Sequence, residues 1–262
     1  MCRFLATSLT FTRSLSSIEL HFDDYKLLSL HRQGAPESSI PLNPSPISLI
    51  SPKRSMQITS ASLQPVQIKA TYMNITQHIP TAPTTGFKKL FSRLAPPTPP
   101  PSLSATTTAI AFLRVATAQL SISIGPKFAS EFERAQKKPP PRQTKLSLLC
   151  INKHEFDAST ANDPLFAGLI PKTQGRVYIG FPTHQTTGFR GHVGAPALVP
   201  TVERESIDLA DPQLRVWNGE LLGCVGIFAR YVFFVSGTDV GCCITLRWIV
   251  WGGDSRKMTR QY

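Results

Sequence analysis

Acidic residues are nearly missing from one long stretch of this 262-residue chain: between Met56 and Cys150 only Glu131 and Glu133 stand against eleven Lys and Arg. Signatures of chemistry are missing as well. The five cysteines, Cys2, Cys150, Cys224, Cys242 and Cys243, form no CxxC pair, and their odd number fits reduced thiols in an intracellular protein better than a disulfide framework. His184 and His192 lie eight apart with no thiol nearby, so no zinc site can be read. "GFPTHQTTGFRG" lacks the Gly-Lys-Ser/Thr ending of a Walker loop. His184, Ser206 and Asp208 supply the residue types of a hydrolase triad, but no G-x-S-x-G elbow presents the serine. The most apolar run, Leu221 to Val235, is fifteen residues long and contains Arg230. A bilayer span needs roughly twenty apolar residues.

Proline, by contrast, is plentiful. Twenty-three prolines and a charged fraction of 17% are poor material for two dense domains, so one folded unit in the second half is expected. The net charge of +12 is unevenly spread, because beyond Cys150 ten acids nearly balance eleven bases. The excess sits in a Pro, Thr and Ser-rich segment. It reads either as a solvated basic linker or as a module that binds nucleic acid or an acidic partner through residues 56–145. The start, "MCRFLATSLTFTRSLSS", has no acid before Glu19 and resembles a mitochondrial transit peptide in composition.

Periodicity marks where order is expected. "GAPESSIPLNPSPISLISPK" reads as a proline-punctuated coil, and short strands fit the alternation in "MQITSASLQPVQIKATYMNI". "APPTPPPSLSATTT" has the composition of an extended linker. From Thr117, Leu120, Ile122 and Ile124 alternate with Ser121 and Ser123, as in a half-buried strand. "KFASEFERAQKK" places Phe128 and Phe132 on one helical stripe that three prolines end. "TKLSLLCI" and "GRVYIGF" follow as strands. Asp211-Pro212 then opens a helix with a core face of Leu214, Trp217, Leu221, Val225 and Phe228. Gly219, Gly223 and Gly226 weaken that helix by up to about 1 kcal/mol each, so tertiary packing must hold it. Some twenty residues between strand and helix are expected to be loop.

That loop carries a resemblance. "THQTTG" (Thr183 to Gly188) and "PTVERESIDL" (Pro200 to Leu209), with "WNGELL" (Trp217 to Leu222) behind them, resemble the signature of a large, mainly fungal family of long uncharacterised proteins. Those proteins carry an ATPase-like region of the gyrase, heat-shock chaperone, histidine kinase and MutL superfamily. The resemblance covers about residues 56–231 and is weaker before Phe128. It implies ATP and Mg for the long members only. The motifs of the nucleotide pocket have no counterpart in residues 1–117, so no cofactor is expected for this chain.

The resemblance implies a nucleotide-sensing loop of Thr183, His184, Gln185, Thr186, Thr187 and Gly188, reached by Arg204. The plainer reading makes Glu203, Arg204 and Glu205 an ion-pair network that pins the loop. The fold expected is α/β or α+β: a small, incomplete sheet with two helices, flanked by disordered segments. The divisions are a disordered or transit-like tail over 1–55, a basic linker with short strands over 56–116, a folded segment over 117–232 and a divergent tail over 233–262. In that tail Trp248, Ile249 and Trp251 are an aggregation hazard. The leading function is a non-catalytic fragment of a chaperone-like ATPase, partnered by the missing ATPase region or a client protein. The alternatives are the basic interaction module and a truncated gene product without a function of its own. The expected location is intracellular, cytoplasmic or nuclear.

Overall fold

The computed structural model describes residues 2–12, 14–23, 25–42, 49–75, 103–160, 163–171 and 173–235. Its centre is a pair of 20-residue antiparallel strands, β4 (Met56–Ile75) and β5 (Leu103–Ile122), each roughly 65 Å long at about 3.3 Å per residue. To one side lie β2 (Tyr25–Gly34), β1 (Ser17–Phe22) and the short β3 (Ser38–Ile40). To the other lie β6 (Gln143–Cys150), β9 (His192–Gly194), β7 (Arg176–Tyr178) and β8 (Pro182–Thr186). The sheet runs β1-β2-β4-β5-β6-β9-β7-β8, with β3 also on β4. All pairings are antiparallel except β7 with β9. Four helices are described: α1 (Cys2–Phe11), α2 (Pro126–Gln136), α3 (Lys153–Ala158) and α4 (Pro212–Val235).

The buried face changes halfway along the sheet. On β5, Ala116, Ala118, Leu120 and Ile122 belong to a first core, and Ala109, Ala111, Leu113 and Val115 to a second. Successive strand side chains point to opposite faces, so the consecutive buried pair Val115-Ala116 is where burial crosses the sheet. Leu148 and Leu149 repeat the crossing on β6, opposite Ala116 and Val115. The first core is covered by α2 and α4, where Phe132 and Trp217 stack with ring centroids 4.6 Å apart. The second is covered by Ala6 and Leu9 of α1 and by Leu165, Phe166, Leu169 and Ile170. Tyr72 Oη ties that last segment to β4 by donating to Asp163 Oδ2 at 2.6 Å.

Past Arg114, β5 loses β6 as a neighbour, and the segment after α3 replaces it. Phe112 N donates to Ser159 Oγ at 2.8 Å, and Thr160 N to Ile110 O at 2.7 Å. Pro65 sits mid-strand in β4, where proline removes a ladder donor. It falls between the partners β3 and β2, and its carbonyl accepts from Ala35 N at 2.9 Å, so the missing N–H faces a gap in the ladder.

Two expectations need correction. The sheet is large, with nine strands, and four helices are described where two were expected. Residues 1–55, read as a tail, contain α1 and β1 to β3, and residues 56–116, read as a linker, contain β4 and most of β5. Small residues explain the second miss, because Ala109 and Ala111 fill the core beneath α1 without showing a hydrophobic alternation. Residues 95–102 of the proline-rich run lie outside the described residues, as do Trp248, Ile249 and Trp251.

The first core hangs on a buried carboxylate. Glu220 of α4 accepts from Ser51 Oγ at 2.5 Å, Ser55 Oγ at 2.8 Å and Lys53 N at 3.0 Å, so one side chain holds the turn that opens β4. Gly223, one turn on, makes room for that turn: a Cβ there would lie 2.7 Å from Pro52 Cδ. Glu220→Ala leaves the turn's donors without a partner. Hydrogen bonds to charged groups contribute about 1.5–3 kcal/mol each, and a loss of about 3 kcal/mol in urea unfolding is expected. A loss below about 1 kcal/mol would show that the clasp is incidental.

Candidate functional site

In the layer over residues 175–208, the segment between the strand at 175–181, which holds β7, and the helix was expected to be loop, and it contains β8 and β9. Gly175 and Gly191 let its strands approach, since a Cβ on Gly175 would stand 1.8 Å from Gly191 O. Thr183 is fully buried and its hydroxyl donates to Val177 O at 2.8 Å. Gln185 Oε1 accepts from Ile207 N at 3.2 Å. Thr187 Oγ1 donates to Phe189 O or Gly191 O, 2.9 and 2.8 Å away. His184 and Thr186 are exposed, with His184 N donating to Glu205 O at 2.8 Å, and Gly188 turns the chain with a φ of 76°. Three of the six sensing residues thus spend their side chains on the layer's own backbone. They do not fit an ATP phosphate or its Mg.

Arg204 also departs from expectation. Glu203, Arg204 and Glu205 are all exposed, and among the described residues no ion pair joins them. The reason is the turn itself: Arg204 N donates to Thr201 O at 2.9 Å with Arg204 at a φ of 61°, which points the triplet to solvent. The layer is pinned instead by α4. Trp217 Nε1 donates to Ala197 O at 2.8 Å. Asn218 accepts from Val199 N at 2.8 Å and donates to Asp208 O at 2.7 Å. Asp211 caps the helix through Gln213 N and Leu214 N, as its place before Pro212 implies.

Two features escaped the sequence reading. Arg114 of β5 pairs with Glu155 of α3, 41 residues away, and the pair is half-buried. The available signal was Asn152-x-x-Glu155, a capping box whose two reciprocal bonds form here. The other is His192, which is 3% exposed. Its Nδ1 accepts from Arg176 N at 2.9 Å and its Nε2 donates to Gly168 O at 2.9 Å, a pair of bonds only the neutral ring can make.

A basic surface lies at the Met56 and Ile122 end of the sheet. Lys53 and Arg54 come from the clasped turn, Lys127 and Arg134 from α2, Lys137, Lys138 and Arg142 from the connection to β6, and Lys145 from β6. Backbone bonds draw these pieces together: Ser123 N donates to Ser55 O at 2.8 Å and Ile122 N to Arg142 O at 2.9 Å. All eight are exposed, and among the described residues none is in an ion pair. Glu131 and Glu133 of α2 oppose them locally, as does the buried Glu220 beneath the turn of Lys53 and Arg54. Arg54 and Lys137 hold left-handed φ values of 61° and 58°, where glycine would be less strained.

Among the described residues no group of His, Cys, Asp and Glu is placed to hold a metal ion, and no helix is long and apolar enough to cross a membrane. The model of a protein family of unknown function, DUF3684, matches residues 9–240. No curated protein and no solved structure matches the chain.

Burial drives the His192 pKa from 6.5 down to about 4. The unfolded chain therefore binds a proton that the folded chain refuses as pH falls below 6.5. Stability from this group is complete above that pH, declines between 6.5 and 4 and levels off below, a total of about 3 kcal/mol. Urea midpoints across that window should fall for the native chain and fall less steeply for His192→Gln. Equal slopes would rule out His192 as the source.

Proposed function

This chain belongs to DUF3684, a family of proteins of unknown function, and on that premise we propose that it is an interaction module whose basic sheet end binds the phosphate backbone of a nucleic-acid duplex. The observation that carries the reading is the set of eight exposed bases, Lys53, Arg54, Lys127, Arg134, Lys137, Lys138, Arg142 and Lys145, gathered at one end of a rigid sheet. Cations so placed gain affinity by releasing counterions from a polyanion. A duplex fits better than a single strand. Phe128 and Phe132 of α2 pack on the first core, so the aromatic platform on which unpaired bases stack is lacking there. Backbone contacts without base readout give binding that tolerates any sequence.

The chaperone-like ATPase reading has less support, because the side chains it needs for a γ-phosphate are bonded to Val177, Ile207, Phe189 and Gly191. Binding of a 20-base-pair duplex measured by fluorescence anisotropy from low to physiological salt discriminates. A micromolar Kd at low salt is expected, with log K falling by about 0.9 per log salt for each phosphate engaged. The combined change of Arg54, Lys138 and Arg142 to Glu should weaken binding at least about tenfold and flatten the slope by about three. A salt-independent Kd, or tighter binding of poly-glutamate than of the duplex, would sink the nucleic-acid assignment.

A further inference from the structure

Where burial changes face, the sheet leaves a polar pocket of about 340 Å³ against the C-terminal end of α1. Its floor includes Thr117 of β5 and Ser147 of β6, which are direct cross-strand partners on one face. Paired residues on one face have Cβ atoms about 5 Å apart. Thr117 is mostly buried and Ser147 half-buried, and both hydroxyls, which bond no other group among the described residues, are reached by solvent in the pocket.

The charged groups of the pocket are in a different position. Arg32 Nη1 donates to Thr12 O at 2.8 Å and its Nη2 to Gln64 Oε1 at 3.1 Å. Glu37 accepts from Ser62 Oγ, and Gln64 Nε2 donates to Ala35 O at 3.1 Å. The two opposite charges are thus already engaged by protein groups, and they offset one another. What the pocket offers a ligand is a pair of hydroxyls that can each donate and accept, flat polar groups held in place, and the ring of Phe11 on one wall. A neutral molecule bearing several hydroxyls answers that set best. A charged ligand would have to compete for groups that are bonded already.

We propose that this pocket binds a small polyhydroxylated molecule of monosaccharide size, with Thr117 and Ser147 as its hydrogen-bonding floor. The test titrates the full chain with D-glucose, D-ribose and myo-inositol, followed by saturation-transfer NMR. Thr117→Val keeps the branched shape and removes the hydroxyl; Ser60→Ala, exposed on the same sheet face, is the control. Saturable binding of at least one probe is expected, weakened at least about tenfold by Thr117→Val and unchanged by Ser60→Ala. The unfolding midpoint of Thr117→Val should stay level, since the hydroxyl removed bonds no other group among the described residues. Absence of saturable binding by all three, equal binding by Thr117→Val, a lowered midpoint, or displacement of the sugar by glycine at equal concentration would each overturn the proposal.

Discussion

A strand pair too long for one covering layer is the constraint on which this fold depends. A 24-residue helix is about 36 Å long, little more than half the length of β5, so α4 can close only the Met56 and Ile122 half of the sheet. The other half is closed from the opposite face by α1 and the segment around Phe166. Because side-chain direction in a strand has a period of two, the change of face demands two adjacent buried residues, and Val115-Ala116 and Leu148-Leu149 supply them on neighbouring strands. A shift of one residue between β5 and β6 would set these switches out of line. Each half then keeps one open face, and the polar pocket lies where one open face meets the end of α1.

Within that frame α4 integrates distant parts of the chain. Trp217 holds Ala197, Asn218 holds Val199 and Asp208, Glu220 holds the turn at 51–55, and Tyr231 donates to Pro41 O. The run "WNGELL" is thereby accounted for almost residue by residue as structural work. Its two polar side chains, Asn218 and Glu220, are 0% and 4% exposed, and burial without such partners would cost more than the helix could bear. The same holds for "THQTTG", whose Thr183 and Thr187 bond backbone carbonyls nearby. A stretch dense in Gly, Thr and His can look like a ligand loop because short strands joined by tight turns need the same residues.

The sequence made some of this legible and hid the rest for physical reasons. The Leu120 and Ile122 alternation, the Phe128 and Phe132 stripe and the Asp211-Pro212 cap mark β5, α2 and α4, because there one face is apolar and the other polar, while Ile124 lies just past the end of β5. The first half of β5 and all of β4 were harder to see. In β5 Ala109 and Ala111 do the burying, while in β4, which showed only as short strands, Pro65 breaks the pattern and a bulge near Thr59 shifts the period between Ile58 and Ala61. For the 203–205 triplet, composition suggested an ion-pair network, but a turn with Arg204 in the left-handed region aims the charges outward. Charge spacing along a chain says little when the backbone decides where each charge points.

The basic end and the buried clasp are physically one device. Lys53 and Arg54 protrude from the turn whose inner side, through Ser51, Lys53 N and Ser55, is bonded to Glu220. The carboxylate neutralises none of the exposed bases by ion pairing; it fixes the backbone that carries two of them. Rigid presentation matters for a phosphate-binding surface, because every side chain ordered on binding costs free energy that a fixed turn has already spent on folding. Arg54 and Lys137 show the same logic, each keeping a cation at a backbone position that glycine would occupy with less strain. If the basic end binds phosphate as proposed, stability at this end of the sheet and binding there rest on the same interactions.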